Sequence, residues 1–438
     1  MKARKSILAG LAALACLAAA APAAAANPVA TAFDTQSGNV QAVTPGPDGA
    51  LWIAGPKGVS KIAPGGEVTQ VATLTGDVRD IVAGPDGNLW VTEDPVSGEQ
   101  SMIARVTPAG VVTEFSEGLT EDRPVRDIVV GPDGALWFTE YSNEYEGPDV
   151  GFGRITTAGT ISELPAPGAS GFEDIVTGPD GRLWFSERYP FRIGAMTTSG
   201  EVETWKAGLG KEIWPGELAA GPDGDVWFAR DDLSKDDVAI DRIDAEGNVT
   251  PVTDDFLLGT SIKQMVTGSD GYVYAVDRTF DLIYRIAADG EVTAMTGGIG
   301  EKFKALDAAF GDDGNLWMPS LRKVWRLLPE LENANPPEVT IEPAQATKIV
   351  TRKKRVKLSF DIAVDPESAE LACDETYPGE PYYYVGCGDH VSFRTRVYPG
   401  KNVSKFSVLA EADGLVDPTP PEVITTIKVP KPGKGKKH

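Results

Sequence analysis

An all-β fold is expected from this sequence: a seven-bladed β-propeller followed by a small β-sandwich. Three observations carry that expectation. A turn of the form Gly-Pro-Asp-Gly starts at Gly46, Gly84, Gly131, Gly178 and Gly221, and returns in looser form at Gly268 and Gly311, with steps of 38, 47, 47, 43, 47 and 43 residues. A fixed period in this range marks repeats that bury their apolar faces only by stacking on one another. Each turn sits between a short apolar run, such as Ile81-Val82-Ala83, and an alternating aromatic strand, such as Leu136-Trp137-Phe138-Thr139, which together read as a hairpin. A third strand (Gly153-Arg154-Ile155) and a fourth (Thr160 to Leu164) complete the unit, and seven four-stranded units make a seven-bladed ring.

Taken in order, the chain opens with Lys2, Arg4 and Lys5, an Ala/Leu-rich run from Ile7 to Ala21, and Ala24-Ala25-Ala26. This is the pattern of a signal peptide over residues 1–26, and it predicts a secreted or cell-surface protein. The apolar run is too short to span a bilayer. The propeller follows over residues 27–328. Val29 to Phe33 resembles the fourth strand of other units, while the seventh unit lacks one, so the N-terminal strand is expected to complete the last blade and close the ring. Within each turn, proline presets the first dihedral, Asp bonds nearby amides and the closing Gly takes the left-handed conformation, so the Asp is a turn residue rather than part of a calcium loop. The tryptophans at 52, 90, 137, 184, 227 and 317, with Tyr274 as the seventh, recur at one blade position and read as core.

Residues 329–337, rich in Pro and Asn, read as a linker. Residues 338–428 alternate apolar and polar positions, for example Val356 to Phe360 and Val391 to Arg394, as a small antiparallel sandwich does. Pro336-Pro337-Glu338, two cysteines before a central strand, and Ala412 to Pro420 resemble bacterial immunoglobulin-like repeats, which act as spacers or adhesive units. Cys373 and Cys387 are expected to pair in an oxidising compartment, and a loop so short contributes about 3 kcal/mol in the chain-entropy model. Residues 429–438 form a basic tail.

From Asn27 to Pro336 there are 23 Lys and Arg against 50 Asp and Glu, a formal charge of −27. Such a surface repels nucleic acid and anionic lipid and keeps an exported protein soluble and monomeric, so no nucleic-acid partner is expected. No nucleophile motif, phosphate loop or Cys/His cluster occurs.

Leu-Trp-Phe-Thr-Glu after Gly-Pro-Asp-Gly, followed by an Arg-Ile-Thr strand, resembles the streptogramin B lyase (virginiamycin B lyase) family of seven-bladed propellers, over Val29 to about Leu328. The resemblance implies opening of a cyclic depsipeptide by elimination, with magnesium and a histidine base. The family's catalytic blade reads Glu-Pro-His-x-Ile-x-x-Gly-Pro-Asp-Gly-x-Leu-Trp-Phe-Thr-Glu, its glutamates holding the metal. In this chain the final glutamate matches Glu93, Glu140 and Glu187, with Asp277 a shorter acid in its place. The histidine position holds Gln41, Arg79, Arg126, Glu173, Gly216, Lys263 and Leu306. Both histidines, His390 and His438, lie beyond the propeller, which leaves Glu173 or a lysine as a base.

Asp77 occupies the first acid position of the blade ending in Glu93, so Asp77, Glu93 and Glu140 are the expected ligands of Mg or Ca, with no organic cofactor. In a propeller the starts of first strands and the ends of second strands meet at one mouth of the channel. Arg79, Arg126, Glu187, Arg230, Lys263 and Asp277 are expected to face a ligand there, with Tyr141, Tyr145 and Phe152 lining a pocket. The competing structural reading pairs each glutamate with the arginine of its third strand, as Glu93 with Arg105 or Glu140 with Arg154. The expected function is an exported propeller binding a small molecule, peptide or cell-wall fragment at an acidic, metal-containing mouth. The alternatives are a metal-dependent carbon-oxygen lyase acting on a cyclic depsipeptide or related ester, or a lactonase.

Overall fold

A computed structural model describes Ala30 to Leu327 apart from short stretches, the longest being 95–99, 142–150 and 296–303, and between 338 and 429 the backbone of strands. Residues 1–26, the linker, Cys387, Tyr145 and the basic tail lie outside the described residues. From 30 to 327 the described residues form seven four-stranded antiparallel sheets and no helix. The strands of blade 3, for example, are Val125–Val130, Leu136–Glu140, Gly151–Ile155 and Ile161–Pro165, in that order from the channel outward. The N-terminal strand Ala30–Asp34 pairs with Lys323–Leu327 of blade 7, Ala30 opposite Leu327 and Asp34 opposite Lys323. It supplies the fourth strand and closes the ring, leaving no open end of the array.

The repeated turn shows why its sequence recurs. Asp133 accepts the Ala135 amide at 3.2 Å and the Trp137 indole N–H at 3.1 Å through one oxygen, and the Arg154 guanidinium at 2.8 Å through the other. Arg154 lies over the Trp137 ring at 5.9 Å. Lys61 with Asp48, Arg242 with Asp223 and Arg285 with Asp270 repeat the ion pair. Gly134 has φ +73°, which a side chain would resist. A Cβ on Gly131 would lie 2.3 Å from Trp137 Cδ1, so glycine is what lets the indole lie flat on the turn. Burial alone would raise the Asp133 carboxyl, but the indole, Arg154 and the Ala135 amide outweigh it and hold the carboxyl below its usual range.

Arg154 is therefore committed to the turn aspartate, and the pairings Glu93 with Arg105 and Glu140 with Arg154 do not form. Arg105 instead donates to the Thr157 carbonyl of the next blade at 2.9 Å. The core lies between blades. Trp137 of blade 3 packs with Phe152, Phe172, Phe185 and Met196 across the seam to blade 4. Fully burying one such tryptophan contributes about 4–6 kcal/mol from apolar area alone.

Beyond the propeller, Glu338–Pro343, Arg355–Asp365 and His390–Arg396 pair antiparallel in a three-stranded sheet, and Glu370–Thr376, Gly400–Ala412 and Glu422–Val429 pair as strands that Leu415–Val416 joins to the last strand of blade 6.

Candidate binding site at the channel mouth

The first strands line the channel, and five of them carry a bulge near their start. In blade 3, Val125 faces Glu140 and the next pair is Ile128 with Phe138, so Arg126 and Asp127 fall outside the ladder. Equivalent register shifts release Arg79, Glu173, Gly216 with Glu217, and Lys263. A bulge re-aims side chains that a regular strand would send into its faces, and here it directs them toward the channel and its rim.

The residue just after the histidine position proves the more consequential. It is Asp80, Asp127, Asp174, Glu217, Gln264 and Asp307 in blades 2 to 7, and Ala42 in blade 1. Asp80 accepts the Ile81 amide of its own blade at 2.7 Å and the Ile128 amide of blade 3 at 2.9 Å. Asp174 likewise holds Ile175 at 2.7 Å and Leu218 of blade 5 at 2.7 Å. Asp307 holds Ala308 at 2.7 Å and Val43 of blade 1 at 2.8 Å. Gln264 accepts the Met265 amide at 3.0 Å and donates to Asp307 at 2.9 Å. These side chains stitch neighbouring blades around the channel.

Asp127 and Glu217 stand outside that stitching, because the amides that would hold them, of Ile128 and Leu218, already serve the preceding blade. Asp127 accepts a long bond from the Thr139 hydroxyl, 3.5 Å, and one from its own amide, and Glu217 lies 3.5 Å from the Lys263 ammonium. Burial pushes Asp127 up to about 6 against the pull of Lys263 and Arg126. Asp174 rises to about 7 through burial and the charge of Asp127. Glu217 is raised well above the usual range by burial, which Lys263 opposes. The same acids, Glu217 foremost, hold Lys263 above its ordinary value, so it stays an ammonium and cannot serve as a general base at neutral pH.

The acids at the ends of the second strands have other partners. Glu93 is wholly buried and one carboxylate oxygen accepts the Gly76 amide at 2.7 Å. Glu140, also buried, meets Arg123 at 3.3 Å; burial and the neighbouring Glu163 raise its carboxyl to about 7, against Arg123. Glu187 takes a fork from Arg192, one arm of it 3.2 Å long. Asp277 accepts the Ser261 amide at 3.0 Å and the Thr279 amide at 2.8 Å. Each of these acids ties the top of its own blade together.

Asp77 is exposed and sits opposite Asp94, and Asp94 pairs with Arg79 at 2.6 Å. Arg230 pairs with Asp241 at 2.7 Å. Among the described residues no three His, Cys, Asp or Glu side chains are gathered as an ion would need. Asp77, Glu93 and Glu140, so arranged, do not offer the shared oxygen set that Mg or Ca requires.

At the rim, Arg126 lies 4.1 Å over the Tyr141 ring, which rests against Gly171 of blade 4. Glu173 pairs with Arg188 at 3.2 Å, and Arg188 covers the Trp214 ring at 4.6 Å. Asp231, raised to about 6 by burial, lies among Arg278 and Glu173. Phe152 is not at the mouth; it is buried against Phe172 at 4.3 Å and Phe185 at 4.7 Å. The sequence had offered Tyr141 and Phe152 as equals, but the glycine-rich start of the third strand turns Phe152 into the seam.

A family model described as the virginiamycin B lyase family matches residues 28–251 and 149–324 of the chain. The chain belongs to the virginiamycin B lyase family. Among solved structures, a streptogramin B lyase is 22% identical, with a TM-score of 0.59, and the match covers 69% of this chain and 98% of that one. A catalytically inactive variant of virginiamycin B lyase from Staphylococcus aureus, solved with quinupristin, is 23% identical at a TM-score of 0.59, covering 68% and 99%. The extracellular domain of a hybrid two-component system from B. thetaiotaomicron matches at 13% identity and a TM-score of 0.54, covering 93% of this chain and 60% of that one. At these identities the solved structures establish the fold alone. No curated protein matches the sequence.

Proposed function

We propose that this member of the virginiamycin B lyase family is an exported binding propeller that takes a small molecule, peptide or cell-wall fragment at its channel mouth, with the C-terminal sandwich as spacer. The observation that carries this reading is the mixed set of groups at one end of the channel: Arg126 on Tyr141, Glu173 with Arg188 and Trp214, and Lys263 between Asp127 and Glu217. Rigid strand starts supporting a few polar groups and stacked aromatics favour recognition. The signal-peptide pattern of residues 1–26 supports export.

A second reading, elimination on a cyclic depsipeptide, is favoured by family membership. It assigns Glu173 as the base, since the propeller contains no histidine. The Arg188 ion pair would have to open before Glu173 could reach a substrate proton.

One experiment separates the two. Quinupristin and a digest of soluble bacterial wall fragments are titrated into the full chain and into Glu173→Gln/Lys263→Met, with product mass followed in parallel. Saturable binding of the digest, abolished in the double variant at an unchanged circular-dichroism spectrum, supports the mouth as a binding site. Linearisation of quinupristin by the wild type selects the lyase, and binding unaltered by the double variant removes both readings.

A further inference from the structure

Within the mouth reading, on which this step rests, Arg126 is set apart from the cations around it. Arg79 is neutralised by Asp94, Arg188 by Glu173 and Lys263 by Glu217. No described carboxylate pairs with Arg126, and its Nε is buried without an acceptor. The guanidinium carbon lies 4.1 Å over Tyr141, whose amide is fixed by the Pro124 carbonyl at 2.9 Å and whose ring is backed by Gly171. A guanidinium resting on an aromatic ring, with no described carboxylate of its own, is placed to receive a carboxylate through its terminal nitrogens.

Immediately beside it the field has the opposite sign. Asp127 follows Arg126 in the chain, and blade stitching leaves both Asp127 and Glu217 turned to the throat with Lys263 as the ammonium among them. A simple anion at Arg126 would meet these acids, and a simple cation in the throat would leave the fork unfilled. A ligand that carries both charges avoids either cost.

We infer that the mouth recognises a bipolar ligand, a carboxylate and an ammonium at the two ends of one short chain as in an ω-amino acid, the carboxylate on Arg126 and the ammonium directed at Asp127. Arg126 and Asp127 set its specificity, and Tyr141 acts as the positioning residue for Arg126.

The test uses the full chain and three probes matched in length: ε-aminocaproate, caproate and hexylamine, each measured by saturation-transfer NMR and calorimetric titration. ε-Aminocaproate is expected to bind roughly tenfold or more tighter than either single-charge analogue. Arg126→Gln is expected to abolish that advantage and leave hexylamine binding as it was. Arg126→Lys, which keeps the charge and loses the fork, is expected to lose most of it, and Asp127→Asn to weaken hexylamine but not caproate. Equal binding of all three probes, no binding of any at the solubility limit, or an Arg126→Gln variant that folds and keeps the preference overturns the inference. Wall fragments that bind at the mouth without competition from ε-aminocaproate would sink this inference alone, whereas fragments that bind independently of Glu173 and Lys263 would sink the mouth reading itself.

Discussion

Replacing Lys263 by Met should destabilise the propeller in a way that depends on pH. Lys263 is the ammonium of a throat that also holds Asp127, Asp174, Glu217 and Asp307, and its nearest partner, Glu217, is 3.5 Å away. Breaking a buried pair costs about 3–5 kcal/mol when the partner is stranded, but the Lys263 side chain is 38% exposed, so solvent screening reduces this to about 1–3 kcal/mol. For a chain of this size that is roughly 1–5 °C in melting temperature. The stranded acids escape by taking a proton. A carboxyl whose folded pKa lies above its unfolded value contributes stability fully present below the unfolded value, about 4, and lost as pH rises through the folded one. Asp127 already stands at about 6 and Asp174 at about 7 with Lys263 in place, and its removal moves them further up. The cost of Lys263→Met should therefore be small at pH 5 and complete by about pH 8. Thermal unfolding followed by circular dichroism at both values measures it. An equal cost at the two, or a larger one in acid, would refute the assignment of Lys263 as counter-ion to the channel acids.

Three further outcomes follow from the same structure. Asp133→Ala removes the acceptor of the Trp137 indole and of Arg154, and should cost about 1–3 kcal/mol by denaturant titration. Because Asp48, Asp133 and Asp223 are held below their usual pKa, the stability they contribute is present above about pH 4 and lost as pH falls through the folded value, so the cost of replacing one should be full at neutral pH and shrink in acid. Glu93→Gln, which keeps an acceptor for the Gly76 amide, should leave the unfolding free energy within about 1 kcal/mol of wild type, while Glu93→Ala strands that amide and should cost about 1–3 kcal/mol. Deleting Asn27 to Asp34 removes the strand paired with Lys323–Leu327, and size-exclusion chromatography should then find oligomers formed through the opened edge of blade 7.

The blades, their strand order and the closing strand were legible because period, turn chemistry and alternation all point the same way. The partner of the third-strand arginine was not, although the register contains the answer. Arg154 stands opposite Trp137, three residues from Glu140 along the second strand, so it reaches the turn and not the strand end. The mouth was half legible. Alignment on the family motif located Arg126, Glu173 and Lys263, but attention to the base position passed over its neighbour, where an acid or amide recurs in six blades. The signal was present at the blade period; what hid it was the bulge, which no local propensity announces.

The stitching also explains why those six side chains are not alike. Asp80 joins blades 2 and 3, Asp174 joins 4 and 5, and Asp307 joins 7 and 1, each by gripping two main-chain amides. The receiving blade's own amide is then occupied, so its residue at this position has nothing to hold: Ala42 in blade 1, and the released acids Asp127 and Glu217 in blades 3 and 5. Seven blades cannot be paired without remainder, and the odd one, blade 6, carries Gln264, which holds its own amide and still has an N–H to give to Asp307. An aspartate there would have set two carboxylates face to face. The acids that close the ring and the acids that meet a ligand are thus the same chemical group at the same position, separated only by whether the preceding blade has already taken the amide.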